Sequence, residues 1–333
     1  MTLEIKTSNV APIRQTYAYI ERRFGHKPAT RYQEVSFDIQ GAANFHYRPL
    51  WNPSKTLNDP SYTALHMQDW YVFKDPRQFY YGAYVQHRAR LQDVAESNYA
   101  FFEKRHLVEN ISDEIKQKII TCLLPFRYVE QTANLHMMSG SAYGYGTVIT
   151  QACMFAAMDR LGMAQYISRI GLLLDGNTGE SLQQAKNAWM NDAAWQPLRK
   201  LCELSLTEQD WFKLFVLQNL LIDSLMQSLV YGQFDQLLVE NGARDVAMLT
   251  EFMQDCLTDL RKWSDPVFKL AIAESEENKA LIQNWVTELL PQVQEAFSAW
   301  ATLALNDAEI EQGLAVIAER SKKAGLADIF NLA

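Results

Sequence analysis

From Glu208 to about Val239 the chain carries apolar side chains on every helical face: Trp211, Phe212, Leu214, Phe215, Leu217, Leu220, Leu221, Ile222, Leu225, Met226 and Leu229. A helix without a polar face needs other elements around its whole circumference, so this stretch predicts the central helix of a helical protein. Asn241-Gly242 supplies the residue types that adopt a left-handed C-terminal cap, and Thr207 with Asp210 three positions later reads as a capping box at the start.

The flanking segments have the one-sided pattern that such a centre requires. Ile115, Ile119, Cys122, Phe126, Val129 and Ala133 recur at steps of three and four, as do Cys153, Ala156, Ala157, Arg160, Met163 and Ala164. Between these two long helices lie Gly140, Gly144 and Gly146; no Gly-Lys-Ser/Thr comes after them and no strand precedes, so they read as close-packing positions rather than a phosphate loop. Asp75-Pro76 suits the opening of a helix running to about His106, and Ser112 can cap the next. Asp175 to Gly179 is a turn cluster, Thr178 or Ser181 begins a helix to Asp192, and Pro197 interrupts the segment after it. Further helices are expected at Val246 to Glu274, bent at Pro266, then at Asn278 to Leu303 and Asp307 to Lys323. Strand-like alternation is confined to a weak stretch at Glu34 to Ile39, so the class is all-α.

Residues 1–75 differ. They hold Pro12, Pro28, Pro49, Pro53 and Pro60, half of the chain's ten prolines, with one short helix expected at Arg14 to Phe24. Tyr32, Phe37, Phe45, Tyr47, Trp51, Tyr62, Trp70 and Tyr71 are too many rings for a solvated linker. The organisation read from this contrast is an extended aromatic-rich arm, 1–75, and a helical domain, 76–333. The arm's rings need another surface, either the chain's own helices or a partner.

In 333 residues, 48% of them hydrophobic, there is ample core. The 31 basic against 39 acidic side chains give a net charge of -8, which argues against nucleic acid or an anionic membrane as partner. The four cysteines, Cys122, Cys153, Cys202 and Cys256, stand singly and fit buried free thiols. Without a charged-then-apolar leader or an uninterrupted apolar run of about 18 residues, a cytoplasmic protein is expected.

The pattern Met158-Asp159-Arg160-Leu161-Gly162-Met163-Ala164-Gln165 resembles the Asp-Glu-x-Arg-His-x-Gln helix of ferritin-like di-iron monooxygenases, whose Glu-x-x-His pair ligates iron. Arg160 stands at the glutamate position and Met163 at the histidine position. In Pro125-Phe126-Arg127-Tyr128, Arg127 falls where that family has another glutamate; the apolar helix corresponds to the third ligand helix, with Gln218, Asn219 and Asp223 as the only candidates; in Thr258 to Lys262, Asp259 and Lys262 fall on the last ligand pair. Guanidinium and ammonium groups are donors only and cannot hold iron. The one literal match to Glu-x-x-His, Glu103 to His106, sits at a helix end among Lys104, Arg105 and Glu109 with no second pair, and reads as a surface coincidence.

The segments Arg23 to Gln33, Asn44 to Trp51 and Lys74 to Tyr81 are similar to the β subunit of bacterial multicomponent phenol and toluene hydroxylases, phenol hydroxylase most closely. That resemblance, over essentially the whole chain, implies a ferritin-like helical bundle at about 112–275 and a catalytically silent β subunit with no cofactor of its own. It implies as partners the α subunit, which carries the di-iron site, the γ subunit and a second copy of this chain, in an (αβγ)2 hydroxylase served by an NADH-dependent reductase and a small regulatory protein. A free-standing helical scaffold is the alternative. A buried Arg160 would need carboxylates, and Asp159, Asp223, Asp255 and Asp259 are the candidates. The hairpin Gln131 to Met158 is a candidate subunit contact, and Phe45, Tyr47, Arg48, Trp51 and Trp70 are the candidate anchors of the arm on α.

Overall fold

A computed structural model describes residues 18–41, 47–305 and 310–327. Two short helices, α1 (Ala18–Phe24) and α2 (Arg31–Ser36), precede an irregular stretch and the long α3 (Tyr81–Lys104). Next come α4 (Asp113–Cys122), α5 (Phe126–Tyr143), α6 (Thr147–Leu174), α7 (Glu180–Asn191) and α8 (Gln196–Ser205). The apolar stretch forms α9 (Trp211–Glu240), and α10 (Arg244–Glu274), α11 (Glu276–Ala304) and α12 (Ile310–Ala324) close the chain. No strand occurs among the described residues.

The antiparallel hairpin of α5 and α6 is the most extensive helix pair. Gly140 sets its closeness: a Cβ there would lie 2.8 Å from Cys153 Sγ, inside contact distance. Around the hairpin, α3, α9 and α10 complete a bundle, with α11 and α12 packed behind α9. By length and composition α9 could cross a membrane, but 89% of its apolar window is buried inside the chain. Two stretches of α9, Leu217–Ile222 and Met226–Phe234, are wound as π-helix.

Several boundaries differ from expectation for local reasons. Asp75 does not cap a helix; its carboxylate accepts from Arg77 N–H at 2.8 Å, Gln78 takes φ 53°, and α3 starts five residues after Pro76. Within the alternating Glu34 to Ile39 stretch, Glu34 to Ser36 complete a helix nucleated by a Thr30/Gln33 capping box. The helix expected through Ile115 to Ala133 breaks at Leu123–Pro125, giving α4 and α5. Asp210, not Thr207, caps α9, accepting from Phe212 and Lys213 N–H. Of the Arg14 to Phe24 helix, the portion from Ala18 is described.

The N-terminal arm shares the core of the helices. Ile20, Tyr32, Phe37, Leu65, Trp70 and Phe73 are buried in one cluster with α5, α6 and α9. Trp70, expected to anchor on a partner, is 6% exposed, its ring centroid 6.1 Å from those of Tyr145 and Trp211.

Candidate functional site

In the middle of the bundle, three helices each bring one charged side chain into a space closed to solvent. Arg160 of α6 is 0% exposed, Glu130 of α5 1% and Asp223 of α9 2%. Arg160 Nη1 donates to Glu130 Oε2 at 3.2 Å, and Nη2 donates to Asp223 Oδ2. Burial pushes the Glu130 carboxyl up to about 7, although Arg160 opposes the shift. The same burial works against charge on Arg160, but the two carboxylates outweigh it and hold the guanidinium protonated.

A polar chain continues outward from this centre. Gln218 Nε2 donates to Asp223 Oδ1 at 2.7 Å, which leaves the Gln218 carbonyl to accept from His136 Nδ1–H at 3.0 Å. His136 Nε2 lies 2.7 Å from Ser205 Oγ. Burial lowers His136 to about 4, so the ring is neutral near pH 7 and Nε2 is left as an acceptor facing the Ser205 hydroxyl, which also lies within donating distance, 2.8 Å, of Cys202 O.

A second cluster lies between α3, α6 and α10. Arg88 makes a two-pronged pair with Asp159, both contacts 2.7 Å, and reaches Asp259 at 2.8 Å. His87 Nε2 approaches Asp259 at 2.5 Å, and the exposed Lys262 reaches its other oxygen at 3.0 Å. Burial of Asp259 opposes its charge, yet hydrogen bonds from Arg88 and Lys262 prevail and hold it at about 2.

The positions singled out from sequence therefore separate. Arg160 lies at the centre and Met163, fully buried, one turn along α6. Asp259 and Lys262 belong to the Arg88 cluster. Arg127 is at neither place: it is partly exposed, its guanidinium 5.4 Å from the Tyr128 ring centroid, and Glu130 is the α5 residue that faces inward. Helical spacing carries that signal, since Phe126, Glu130, Ala133 and Met137 share one face. Of the four aspartates considered for Arg160, Asp223 pairs with it, Asp159 and Asp259 pair with Arg88, and Asp255 is exposed. Glu103 is exposed, and His106, also exposed, sits 3.8 Å from Glu109.

A resident di-iron site does not fit this donor set. Both central carboxylates are tied to a cation of the chain itself, and the described residues contain no group of three or more His, Cys, Asp and Glu arranged to hold a metal.

Of the arm's other candidate anchors, Tyr47, Arg48 and Trp51 lie on a surface loop. Tyr47 is 70% exposed and Trp51 68%, and their neighbour Leu50, not among the anchors expected from sequence, is 97% exposed. Arg48 is turned onto its own loop, donating to the carbonyls of Pro53 and Ser54 at 3.1 and 2.9 Å. Phe45 lies outside the described residues.

Residues 51–275 match the family described as Methane/Phenol/Alkene Hydroxylase. The chain is 71% identical over 331 residues to the phenol 2-monooxygenase oxygenase component MhpL of Acinetobacter pittii, covering 99% of this chain and 100% of that protein. It is 49% identical to the corresponding component DmpL of a Pseudomonas species, covering 98% of each. Among solved structures, phenol hydroxylase from Pseudomonas sp. OX1 superposes with a TM-score of 0.92 at 46% identity, covering 97% of this chain and 98% of that one. The ferritin-like helical bundle is thus shared, and on a match of this extent and identity the chain belongs to the methane/phenol/alkene hydroxylase family.

Proposed function

We propose that this chain is the catalytically silent β subunit of a phenol hydroxylase. In this reading the α subunit carries the di-iron site and hydroxylates phenol or a related aromatic with O2 and electrons from NADH, within a cytoplasmic (αβγ)2 assembly that a reductase and a regulatory protein serve. The observation that carries the silent role is the placement of Arg160: a buried guanidinium spans Glu130 and Asp223 at the centre of the bundle. Supporting the subunit assignment, the relative in the toluene-4-monooxygenase system of Ectopseudomonas mendocina, 22% identical over 269 residues, is named hydroxylase component subunit beta.

Two surfaces suit assembly. The exposed side of the α5–α6 hairpin presents Leu135, Met138, Met154, Met158 and Leu161, and the arm presents Leu50 and Trp51. Co-expression with the neighbouring hydroxylase chains, purification through a tag on this chain and metal analysis test the proposal. Three chains in equal amounts are expected, with phenol-hydroxylating activity and iron that stays with the largest chain when the subunits are separated. Stoichiometric iron in this chain alone, or failure of the co-expressed chains to copurify with it, would overturn it.

A further inference from the structure

We infer that Arg160 is the built-in cation of a two-carboxylate centre, which takes up an external divalent cation once the guanidinium is removed. The inference rests on the geometry of Arg160 and deepens the silent-subunit reading.

Two carboxylates from different helices converge on one enclosed point, and each is arranged as a cation ligand would be. Asp223 presents Oδ2 to the centre while Gln218 holds Oδ1 at 2.7 Å, and His136 in turn fixes Gln218. Carboxylates that bind metals are oriented by outer hydrogen bonds of this kind. Glu130 presents Oε2 to Arg160, and the Tyr231 hydroxyl is the other polar group that reaches its carboxyl. Arg160 Nε has no hydrogen-bond partner. A guanidinium placed for hydrogen bonding alone would satisfy its remaining donor; here two Nη groups meet the carboxylates and the rest of the head occupies space.

Removing the head leaves two buried carboxylates without a counter-charge, a costly state that protonation or an incoming cation must relieve. Mn(II) is the suitable probe, because it accepts carboxylate oxygen and needs no imidazole.

The test uses the full-length chain and its Arg160→Ala variant in chelator-treated buffer, with Tm read against added MnCl2 and Mn(II) binding read by electron paramagnetic resonance. The wild-type Tm is expected to be indifferent to both chelator and Mn(II). Arg160→Ala should melt lower, and Mn(II) at about ten times its Kd should raise its Tm by roughly 2–4 °C. Combining Arg160→Ala with Glu130→Gln and Asp223→Asn should abolish the response. Arg160→Gln is studied in parallel; if neither single variant folds in chelated buffer, recovery of folded chain only with Mn(II) supports the inference, and failure to fold with Mn(II) overturns it. It is also overturned if Arg160→Ala shows no Mn(II)-dependent shift, or if the triple variant keeps one. Iron bound by the wild-type chain would instead overturn the silent-subunit reading, so the two failures are distinguishable.

Discussion

Arg88 joins α3 to α6 and α10 through one guanidinium, which meets Asp159 and Asp259 with three contacts of 2.7–2.8 Å. Replacing it with methionine keeps much of the volume but leaves Asp159, almost wholly buried, without its cation; Asp259 keeps His87 and Lys262. Breaking a buried pair in this way costs about 3–5 kcal/mol, so Arg88→Met should shift the urea midpoint strongly downward, and an unchanged midpoint would refute the assignment. Asp235 gives a pH signature. Burial raises its carboxyl from the ordinary 3.8 to about 7, against hydrogen bonds from Thr250 and Gln254. A raised acid stabilises the fold fully below its unfolded pKa, and that stability is lost as pH rises through the folded value, at up to about 1.4 kcal/mol per pH unit. His136, lowered to about 4, works with the opposite sign: the fold loses stability as pH falls from about 6.5 toward 4. The informative quantity is therefore the difference between Asp235→Asn and wild type, which should move in favour of the variant between pH 5 and 7 in urea titrations. A pH-independent difference would count against the shift. At this scale Arg160 was legible because its place in a ligand-bearing pattern is a matter of sequence register. The sequence context of Pro125 to Tyr128 points to Arg127, whereas the face shared with Phe126 and Ala133 points to Glu130.

Between elements, the α5–α6 hairpin depends on one absent side chain. Gly140→Ala places a methyl 2.8 Å from Cys153 Sγ, so the helices must separate or the thiol must move. Overpacking of this kind costs typically about 1–3 kcal/mol. Cys153→Ala removes the clashing atom, so the double variant should be more stable than the sum of the single effects predicts; strict additivity in a double-mutant cycle would show that the contact is not the cause. Elsewhere, the wide turns of α9 leave carbonyls turned away from the regular α pattern. Arg320 of α12 donates to Asn219 O at 2.7 Å and Leu220 O at 3.3 Å while also pairing with Asp265. The C-terminal helix thereby covers polar backbone in the centre of an otherwise apolar helix. The apolar circumference of α9 announced its central place, but the winding did not show, because side-chain periodicity barely distinguishes a few wide turns from α-helix. The start of α3 was misplaced for a related reason: Asp75-Pro76 satisfies a helix-start pattern, yet the Asp75 side chain closes its own turn onto Arg77 instead.

Over the whole molecule, the arm divides into a part that completes the core and a part that faces outward, a split that composition could not resolve because both contain the same aromatic residues. Trp70 and Phe73 fill the space against Trp211 and Phe212, whereas the 47–57 loop stands on the surface with Leu50 and Trp51 at its tip. The loop is held in shape from within by Arg48 and by the Leu57 N–H donated to Tyr47 O at 3.2 Å. A preformed loop loses little entropy on docking, so its exposed apolar side chains can contribute to association rather than to ordering. Trp70→Ala should therefore destabilise the isolated chain by about 3–5 kcal/mol. Leu50→Ser with Trp51→Ala should leave its stability within about 0.5 kcal/mol, because these side chains make little contact with the body beyond the Trp51 ring near Tyr143. If the loop clasps the α subunit as proposed, the same double variant should weaken assembly by about 2 kcal/mol or more, roughly 30-fold in Kd. Titration of labelled chain against its partner reads this directly. Wild-type affinity in the double variant would remove the loop from the interface, and a large loss of stability in the isolated chain would return its side chains to the fold.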